Sequence, residues 1–159
     1  MKPRPFDYVR PATVAEAVEA LARYQGEARV LAGGQSLMAM MNLRLADAGA
    51  LIDISRLGEL SEIKETNGAI EVGAVVTQNA LLRWPQLPAK SPLLAVMLPH
   101  IGHFQTRNRG TVCGSLAHAD PSSEIPLALA MLEGEVVLRS KSAVRTLKAD
   151  AFQRGMMRS

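Results

Sequence analysis

The sequence predicts an α+β protein in which a small parallel α/β unit precedes an antiparallel α+β region. Short apolar runs at residues 28–32 and 50–54 are typical of buried strands, and the connection between them is long enough for a parallel crossover. Beyond them, Asn67-Gly68 separates two further short runs, which is a strong hairpin signal. We therefore divide the chain into an N-terminal α/β subdomain, residues 1–56, and a second α+β subdomain, residues 57–159.

The first subdomain begins with a predicted helix at residues 13–24. Thr13 precedes Glu16 by three residues at the head of a run that is apolar at helical spacing, which is the arrangement of a reciprocal capping box. The first strand then ends at Gly33-Gly34, and one or two helical turns are expected from Ser36. The second strand completes a unit of the β-α-β type.

The second subdomain begins with the hairpin, whose strands we place at residues 60–65 and 69–74. Ser122 or Ser123 can cap one of the helices that follow. The remaining predicted elements are helices at residues 77–82, 92–103 and 125–132 and a strand pair at residues 135–139 and 143–148. Residues 152–159 fit neither a helix nor a complete strand, and we therefore expect the chain to be truncated at its C-terminus.

The composition is that of one folded domain. Of the 159 residues, 48% are hydrophobic and 21% are charged, so the chain can bury a core. The single cysteine excludes a disulfide scaffold, and no apolar stretch approaches the ~20 residues that insert across a membrane. The N-terminus lacks the apolar run of a secretory signal, which predicts a cytoplasmic location.

The net charge of +3 reflects a basic last segment, from Arg139 onward. Only 4% of the residues are aromatic and able to stack on bases, so the sequence predicts no nucleic-acid partner. The basic segment is interpreted as a solvated edge or as a contact surface for another subunit.

The first candidate binding segment is Ala32-Gly33-Gly34-Gln35-Ser36-Leu37, called here the first glycine segment. Glycines let the backbone approach an anion closely, and the amides at the start of a following helix offer unpaired donors. A phosphate therefore fits this segment. The alternative interpretation is a tight turn between a strand and a helix.

The second candidate is residues 109–124, called here the second glycine segment. It combines Gly110 and Gly114 with several hydroxyl side chains and with the carboxylates of Asp120 and Glu124. Hydroxyls and amides can hold a pyrophosphate, and a carboxylate can accept a hydrogen bond from a ribose or ribityl hydroxyl. The alternative interpretation is a long, turn-rich surface loop.

In this order and spacing, the two segments resemble the FAD-binding, or medium, subunit of molybdenum hydroxylases. Ala-Gly-Gly-Gln-Ser-Leu at residues 32–37 and Thr-Val-Cys-Gly-Ser-Leu-Ala-His-Ala-Asp-Pro at residues 111–121 carry the resemblance, which covers essentially the whole chain. The family includes the medium subunit of carbon monoxide dehydrogenase and the flavin domain of xanthine dehydrogenase. The opening Pro-Phe-Asp-Tyr-Val-Arg-Pro, Leu43-Arg44-Leu45 and Leu51-Ile52-Asp53-Ile54 fit the same pattern.

The resemblance implies FAD bound in a fold of the PCMH type, a small parallel α/β subdomain followed by an antiparallel α+β subdomain. Because the family continues through another strand and a separate C-terminal domain, it also implies that the second subdomain is incomplete and that the C-terminal domain is absent. The cofactor contacts that it implies are Ala32, Gly33, Gly34, Gln35, Ser36, Leu37, Ile101, Thr111, Val112, Cys113, Gly114, Ser115, His118 and Glu124.

Other reactive side chains are interpreted as structural. Cys113 stands where many relatives have glycine, and we interpret it as a small packing residue. His100 and His103 lack a carboxylate or thiol that would complete a metal site. No nucleophile or general acid for substrate chemistry is visible, so we predict neither a catalytic residue nor a metal ligand on this chain.

The resemblance finally implies an oxidoreductase subunit that transfers electrons within a heterotrimer. Substrate would be oxidised at a molybdenum cofactor on a large subunit, and 2Fe-2S clusters on a small subunit would pass the electrons to FAD. An external acceptor would then remove them. Two alternatives remain, a free-standing PCMH-type flavin reductase and a non-catalytic fragment that binds partners through the basic segment.

Overall fold

The computed structural model describes residues 1–155 and 157–159 and begins with a parallel sheet. Its strands are β1 (Asp7–Val9), β2 (Ala28–Leu31) and β3 (Ala50–Asp53), in the spatial order β1-β3-β2. The helix α1 (Val14–Arg23) connects β1 to β2, and α2 (Leu37–Asn42) lies between β2 and β3. Because the strands are parallel, their carboxyl ends meet at one edge of the sheet.

The two predicted strands differ in burial. Leu51 and Ile52 of β3 are 1% and 0% exposed, as expected for a buried strand between two neighbours. The prediction of a buried strand is wrong for β2, where Val30 is 43% exposed, because β2 is an edge strand that pairs with β3 on one side. The sequence-based assignment lacks β1, since three residues are too few for a recognisable alternation.

The start of α1 confirms one of the two hydrogen bonds of the predicted capping box. Thr13 Oγ1 accepts a hydrogen bond from the Glu16 amide at 3.1 Å. The Glu16 carboxylate accepts from the amide of Ala12 at 2.8 Å, one residue before the predicted partner. On the inner face of α1, Ala17 is buried in a hydrophobic cluster that includes Ile52 of β3.

The second part of the chain contains antiparallel hairpins, which confirms the predicted α+β class. One pairs β4 (Ile63–Thr66) with β5 (Ala69–Val72), and another pairs β6 (Glu135–Arg139) with β7 (Val144–Lys148). In the turn of the first hairpin, Asn67 and Gly68 have φ of 52° and 81°. These are the left-handed conformations that a type I′ turn requires.

Short helices cover and connect these hairpins. They are α3 (Gln78–Leu82), α4 (Leu87–Lys90), α5 (Pro92–Met97), α6 (Phe104–Arg107), α7 (Val112–His118), α8 (Glu124–Met131) and α9 (Ala149–Phe152). The prediction of one helix at residues 92–103 is wrong, because α5 passes into a 3-10 turn at Leu98–His100 and then ends. Pro99 lacks an amide donor, and Gly102 adopts a left-handed conformation at φ 51°, so the helix cannot continue.

Each part of the chain contains a hydrophobic cluster. The first joins the inner face of α1 to β3 and includes Leu57. The second contains the fully buried side chains of Leu81, Leu87 and Leu98. Leu57 belongs to the second predicted subdomain but packs with the first cluster. The division into subdomains between residues 56 and 57 therefore stays a prediction.

The C-terminal end of α8 offers a stabilising substitution. The amides of Glu133 and Gly134 donate to the carbonyls of Ala130 and Leu129, at 3.1 and 2.8 Å, which forms a Schellman motif. Glu133 holds the left-handed position at φ 51°, where a side chain is strained and a carboxylate meets the negative end of the helix dipole. We expect Glu133→Gly to raise the free energy of unfolding by about 0.5 to 1 kcal/mol in urea denaturation.

The matched control is Ala130→Gly, at an exposed position inside the same helix. The backbone of Ala130 is not left-handed, so glycine relieves no strain there. Ala130→Gly should lower the free energy of unfolding by about 0.5 to 1 kcal/mol. If both substitutions destabilised the chain equally, Glu133 would not be strained.

Candidate functional site

A cleft of about 390 Å³ opens at the carboxyl ends of the parallel strands. Tyr8 and Asp53 line it from β1 and β3, and Ala32 lines it directly after β2. Thr77 and Thr111 line it from the second part of the chain. Ligands of open α/β sheets bind in the crevice outside the carboxyl ends of the strands, so this edge is the first candidate site.

The first glycine segment lies at the same edge. Gly33, Gly34 and Gln35 line a smaller cleft of about 230 Å³. Gly34 has φ of 72°, a conformation that glycine adopts without strain. Ser36 precedes α2, as expected, and its side chain makes no capping hydrogen bond there. The two clefts adjoin each other, since both are lined by Ala32, Asp53, Ser55 and Arg109.

The second glycine segment contains the whole of α7, so its interpretation as a turn-rich loop is wrong. Thr111 precedes α7, and its Oγ1 accepts a hydrogen bond from the Gly114 amide at 3.0 Å. Glycines and small side chains conceal this helix in the sequence, because they weaken its apolar periodicity. The threonine at the capping position is the signal that could have revealed it.

The two glycine segments touch each other. A Cβ atom on Gly33 would lie 2.2 Å from the carbonyl oxygen of Arg109 and 2.9 Å from Gly110 Cα, so only glycine permits this approach. The Gly110 carbonyl also accepts a hydrogen bond from the Gln78 amide at 2.8 Å, which attaches the second segment to the start of α3. Segments far apart in the sequence thus form one continuous surface.

Some of the residues predicted to contact the cofactor line the clefts. Ala32, Gly33, Gly34, Gln35 and Thr111 line one or both of them. Ile101 lies in the second hydrophobic cluster and is 7% exposed, so its side chain faces the core. The other predicted contacts lie outside the clefts: Ser36, Leu37, Val112, Cys113, Gly114, Ser115, His118 and Glu124.

Within the second glycine segment, a hydrogen bond places the start of α8 beside α7. The hydroxyls of Ser115 and Ser123 are 2.9 Å apart, and Glu124 is the first residue of α8. Glu124 therefore lies near the first turn of α7. His118 is the last residue of α7, at the opposite end of the helix from Thr111.

Cys113 faces protein rather than solvent. Its thiol lies 3.5 Å from the Val72 carbonyl, to which it can donate, and burial raises its pKa to about 11. The thiol is therefore protonated at neutral pH and is a poor nucleophile. This environment agrees with the interpretation of Cys113 as a packing residue.

Tyr8 and Asp53 are cleft residues that the sequence analysis does not assign to the site. The Tyr8 hydroxyl donates a hydrogen bond to the Asp53 carboxylate, which raises the pKa of Tyr8 above its ordinary value. Burial pushes the pKa of Asp53 upward, but hydrogen bonds from Tyr8 and Ser55 outweigh it and hold that pKa below its ordinary value. Asp53 is therefore ionised at neutral pH. Their position at the carboxyl ends of paired strands is the signal that could have identified them.

Within residues 1–155 and 157–159, no group of three or more His, Cys, Asp or Glu side chains could hold a metal ion. His100 ends the 3-10 turn before α6, and His103 immediately precedes α6. Among the helices of the described part of the chain, none has the length and apolar character needed to cross a membrane.

Comparison with known proteins gives a family match over almost the whole chain. The model of the family described as "FAD binding domain in molybdopterin dehydrogenase" matches residues 4–159. The chain is 40% identical over 152 residues to the carbon monoxide dehydrogenase medium chain of Hydrogenophaga pseudoflava, covering 96% of this chain and 53% of that one. It is 32% identical over 160 residues to the caffeine dehydrogenase subunit beta of Pseudomonas sp. strain CBB1, covering 100% and 54%. The chain thus spans about half the length of the curated relatives it matches.

Solved structures show the same fold. Carbon monoxide dehydrogenase from Hydrogenophaga pseudoflava matches with a TM-score of 0.94 at 40% identity, over 99% of this chain and 55% of that one. Quinoline 2-oxidoreductase from Pseudomonas putida 86 matches with a TM-score of 0.95 at 38% identity, again over 99% and 55%. These likenesses confirm the predicted fold class.

Proposed function

Because the chain belongs to the family of FAD-binding domains of molybdopterin dehydrogenases, we propose that it binds FAD as the flavin component of an oxidoreductase. The structural observation that carries this proposal is the contact of Gly33 with the backbone of Arg109 and Gly110, which joins both glycine segments into one surface. Bound FAD supplies reversible electron transfer.

The residues of this surface fit the diphosphate of FAD. Gly33 and Gly34 have no side chains that would keep a phosphate away from the backbone. Arg109 lines both clefts and offers a guanidinium to phosphate oxygens. The hydroxyl of Thr111 holds the first turn of α7 in place through the Gly114 amide.

The remaining contacts are assigned through the family resemblance. Gln35 and Ser36 would add hydrogen bonds beside the first glycine segment, and Ser115 would do so on the second. Glu124 follows Ser123, whose hydroxyl bonds to that of Ser115 on α7, and it would accept a hydrogen bond from the cofactor. The other assigned contacts are Ala32, Leu37, Ile101, Val112, Cys113 and His118.

In the proposed assembly, this chain is where electrons leave. A large subunit with a molybdenum cofactor would oxidise the substrate, a small subunit with 2Fe-2S clusters would pass the electrons to FAD on this chain, and an external acceptor would remove them. Supporting this assignment, similar proteins are named as the medium chain or subunit beta of dehydrogenases. The cytoplasmic location inferred from the N-terminus stays a prediction.

Flavin retention by the purified chain tests the cofactor proposal. After incubation with FAD and desalting, visible absorption should show about one flavin per chain, and FAD should raise the unfolding temperature through its preference for the folded state. FMN is the matched ligand, because it lacks the adenosine monophosphate half. FMN binding as tight as FAD binding would contradict recognition of a dinucleotide.

Further measurements separate the proposed role from its alternatives. Copurification with a large and a small subunit would support the electron-exit role. Oxidation of a nicotinamide cofactor by the FAD-loaded chain alone would instead indicate a free-standing reductase. A folded chain that retains no flavin would overturn the FAD proposal and indicate a non-catalytic fragment.

A further inference from the structure

The strand β6 has a free edge, since among the described residues it pairs only with β7. Two hydrogen bonds flank this pairing, from the Ala149 amide to the Gly134 carbonyl at 3.0 Å and from the Ser140 amide to the Ala143 carbonyl at 2.8 Å. Bonded residues alternate along an antiparallel strand, so the even-numbered residues of β6 bond to β7. The backbone groups that face away from β7 are those of Glu135, Val137 and Arg139.

The sequence of β6, Glu-Val-Val-Leu-Arg, is complementary to itself when it is read in the antiparallel direction. With Val137 opposite Val137 of a second copy, Glu135 falls opposite Arg139, and Val136 falls opposite Leu138. The outward backbone groups of the odd-numbered residues then meet each other, so the register also satisfies the hydrogen-bond geometry of the edge. Both charged positions of the strand gain an opposite charge in this arrangement.

The side chains of β6 are available for this pairing. Glu135, Val137 and Arg139 are exposed on the outer face, and Val137 is 64% exposed. None of the salt bridges among the described residues involves Glu135 or Arg139. On the inner face, Val136 and Leu138 are partly buried against the second hydrophobic cluster, and a second copy would extend this apolar face.

The edge of β7 lacks this complementarity. Its backbone groups that face away from β6 are those of Val144, Thr146 and Lys148. Antiparallel pairing about Thr146 would set Lys148 opposite Val144 and would bring Arg145 and Lys148 of both copies together without an acidic side chain on the strand. Such basic side chains protect a sheet edge from self-association.

From these observations we propose that two copies of this chain associate through β6, with Val137 on the two-fold axis and Glu135 of each copy paired with Arg139 of the other. The two hairpins then form one four-stranded antiparallel sheet, β7-β6-β6-β7. Such an interface is isologous, because the same strand serves both copies and the association closes at two. The proposal goes beyond the proposed function and requires no cofactor.

Sedimentation equilibrium of the full chain over a range of concentrations tests the proposal. The average mass should rise with concentration from that of one chain toward that of two. Arg139→Glu sets two glutamates opposite each other at both ends of the pairing, so it should raise the dissociation constant of the dimer about tenfold. Val137→Pro removes the amide at the centre of the free edge and no hydrogen bond to β7, and it should abolish the dimer.

Exchange of the two charges tests the register itself. A chain that carries both Glu135→Arg and Arg139→Glu should dimerise as the wild type does. The two single variants, each weak alone, should form a heterodimer about tenfold more tightly when they are mixed, because every charge then faces an opposite one. A combined variant that stays as weak as the single ones overturns the assigned pairing.

Arg145→Glu is the matched control, because it makes the same change in net charge at an exposed residue of β7, away from the free edge of β6. It should dimerise as the wild type does, and thermal unfolding of each variant checks that it is folded. A wild-type chain that stays monomeric at its highest soluble concentration overturns the proposal. A dimer that withstands both Arg139→Glu and Val137→Pro overturns it as well, since another surface would then hold the two copies together.

Discussion

Gly33→Ala is expected to abolish FAD retention and to lower the free energy of unfolding by about 3 kcal/mol, the upper end of the usual range for overpacked sites. The added methyl group would lie 2.2 Å from the Arg109 carbonyl oxygen and 2.9 Å from Gly110 Cα. Both are backbone atoms that cannot rotate aside, so the two glycine segments must separate. Flavin retention after desalting and urea denaturation measure the two effects.

Two other glycines provide the controls for this substitution. A Cβ on Gly58 meets nothing within 4 Å, so Gly58→Ala should retain FAD and leave the stability unchanged or slightly higher. A Cβ on Gly73 would lie 2.2 Å from the Leu60 carbonyl oxygen, a comparable clash outside both clefts. Gly73→Ala should therefore destabilise the chain while its folded fraction still binds FAD. Wild-type FAD affinity in Gly33→Ala would show that the two segments need not touch.

Local patterns in the sequence predict the elements whose physical cause is local. The Asn67-Gly68 turn and the Thr13 cap each depend on a few neighbouring residues, and both are found in the structure. Pro99 and Gly102 also act locally. They are signals in the sequence for an earlier end of the helix predicted at residues 92–103. In the second glycine segment, the capping threonine is outweighed by small residues without a clear period, so α7 is missed.

Burial and the composition of the site depend on tertiary packing, which a single sequence does not specify. The runs that form β2 and β3 look alike, yet β3 lies in the centre of the sheet and β2 at its edge. The contact between Gly33 and Arg109 requires the two parts of the chain to pack against each other. The bond between Tyr8 and Asp53 likewise requires β1, a strand of three residues, to pair with β3. The residues alone marked the glycine segments as candidates and the family resemblance assigned them to FAD, whereas the cleft side chains of Tyr8 and Asp53 emerged from the fold.

Thr111→Val is expected to weaken FAD binding about tenfold, because it disturbs the first turn of α7 on the cofactor surface. Thr111 is 4% exposed, and its hydroxyl accepts from the Gly114 amide at 3.0 Å. Valine fills the same space but leaves this part-buried amide without its partner, which should lower the free energy of unfolding by about 2 kcal/mol. FAD titration and urea denaturation measure the two losses. Thr111→Ser keeps the accepting oxygen and should recover most of both.

Thr13→Val removes the same kind of cap from α1, where Thr13 Oγ1 accepts from the Glu16 amide at 3.1 Å on an exposed surface. Water can replace the lost acceptor there, so the free energy of unfolding should fall by about 1 kcal/mol. Thr13 lies outside both clefts, and FAD affinity should stay at the wild-type value. Equal losses of FAD affinity in Thr13→Val and Thr111→Val would mean that binding follows overall stability. A loss confined to Thr111→Val would mean that the cap of α7 preorganises the second glycine segment for the diphosphate.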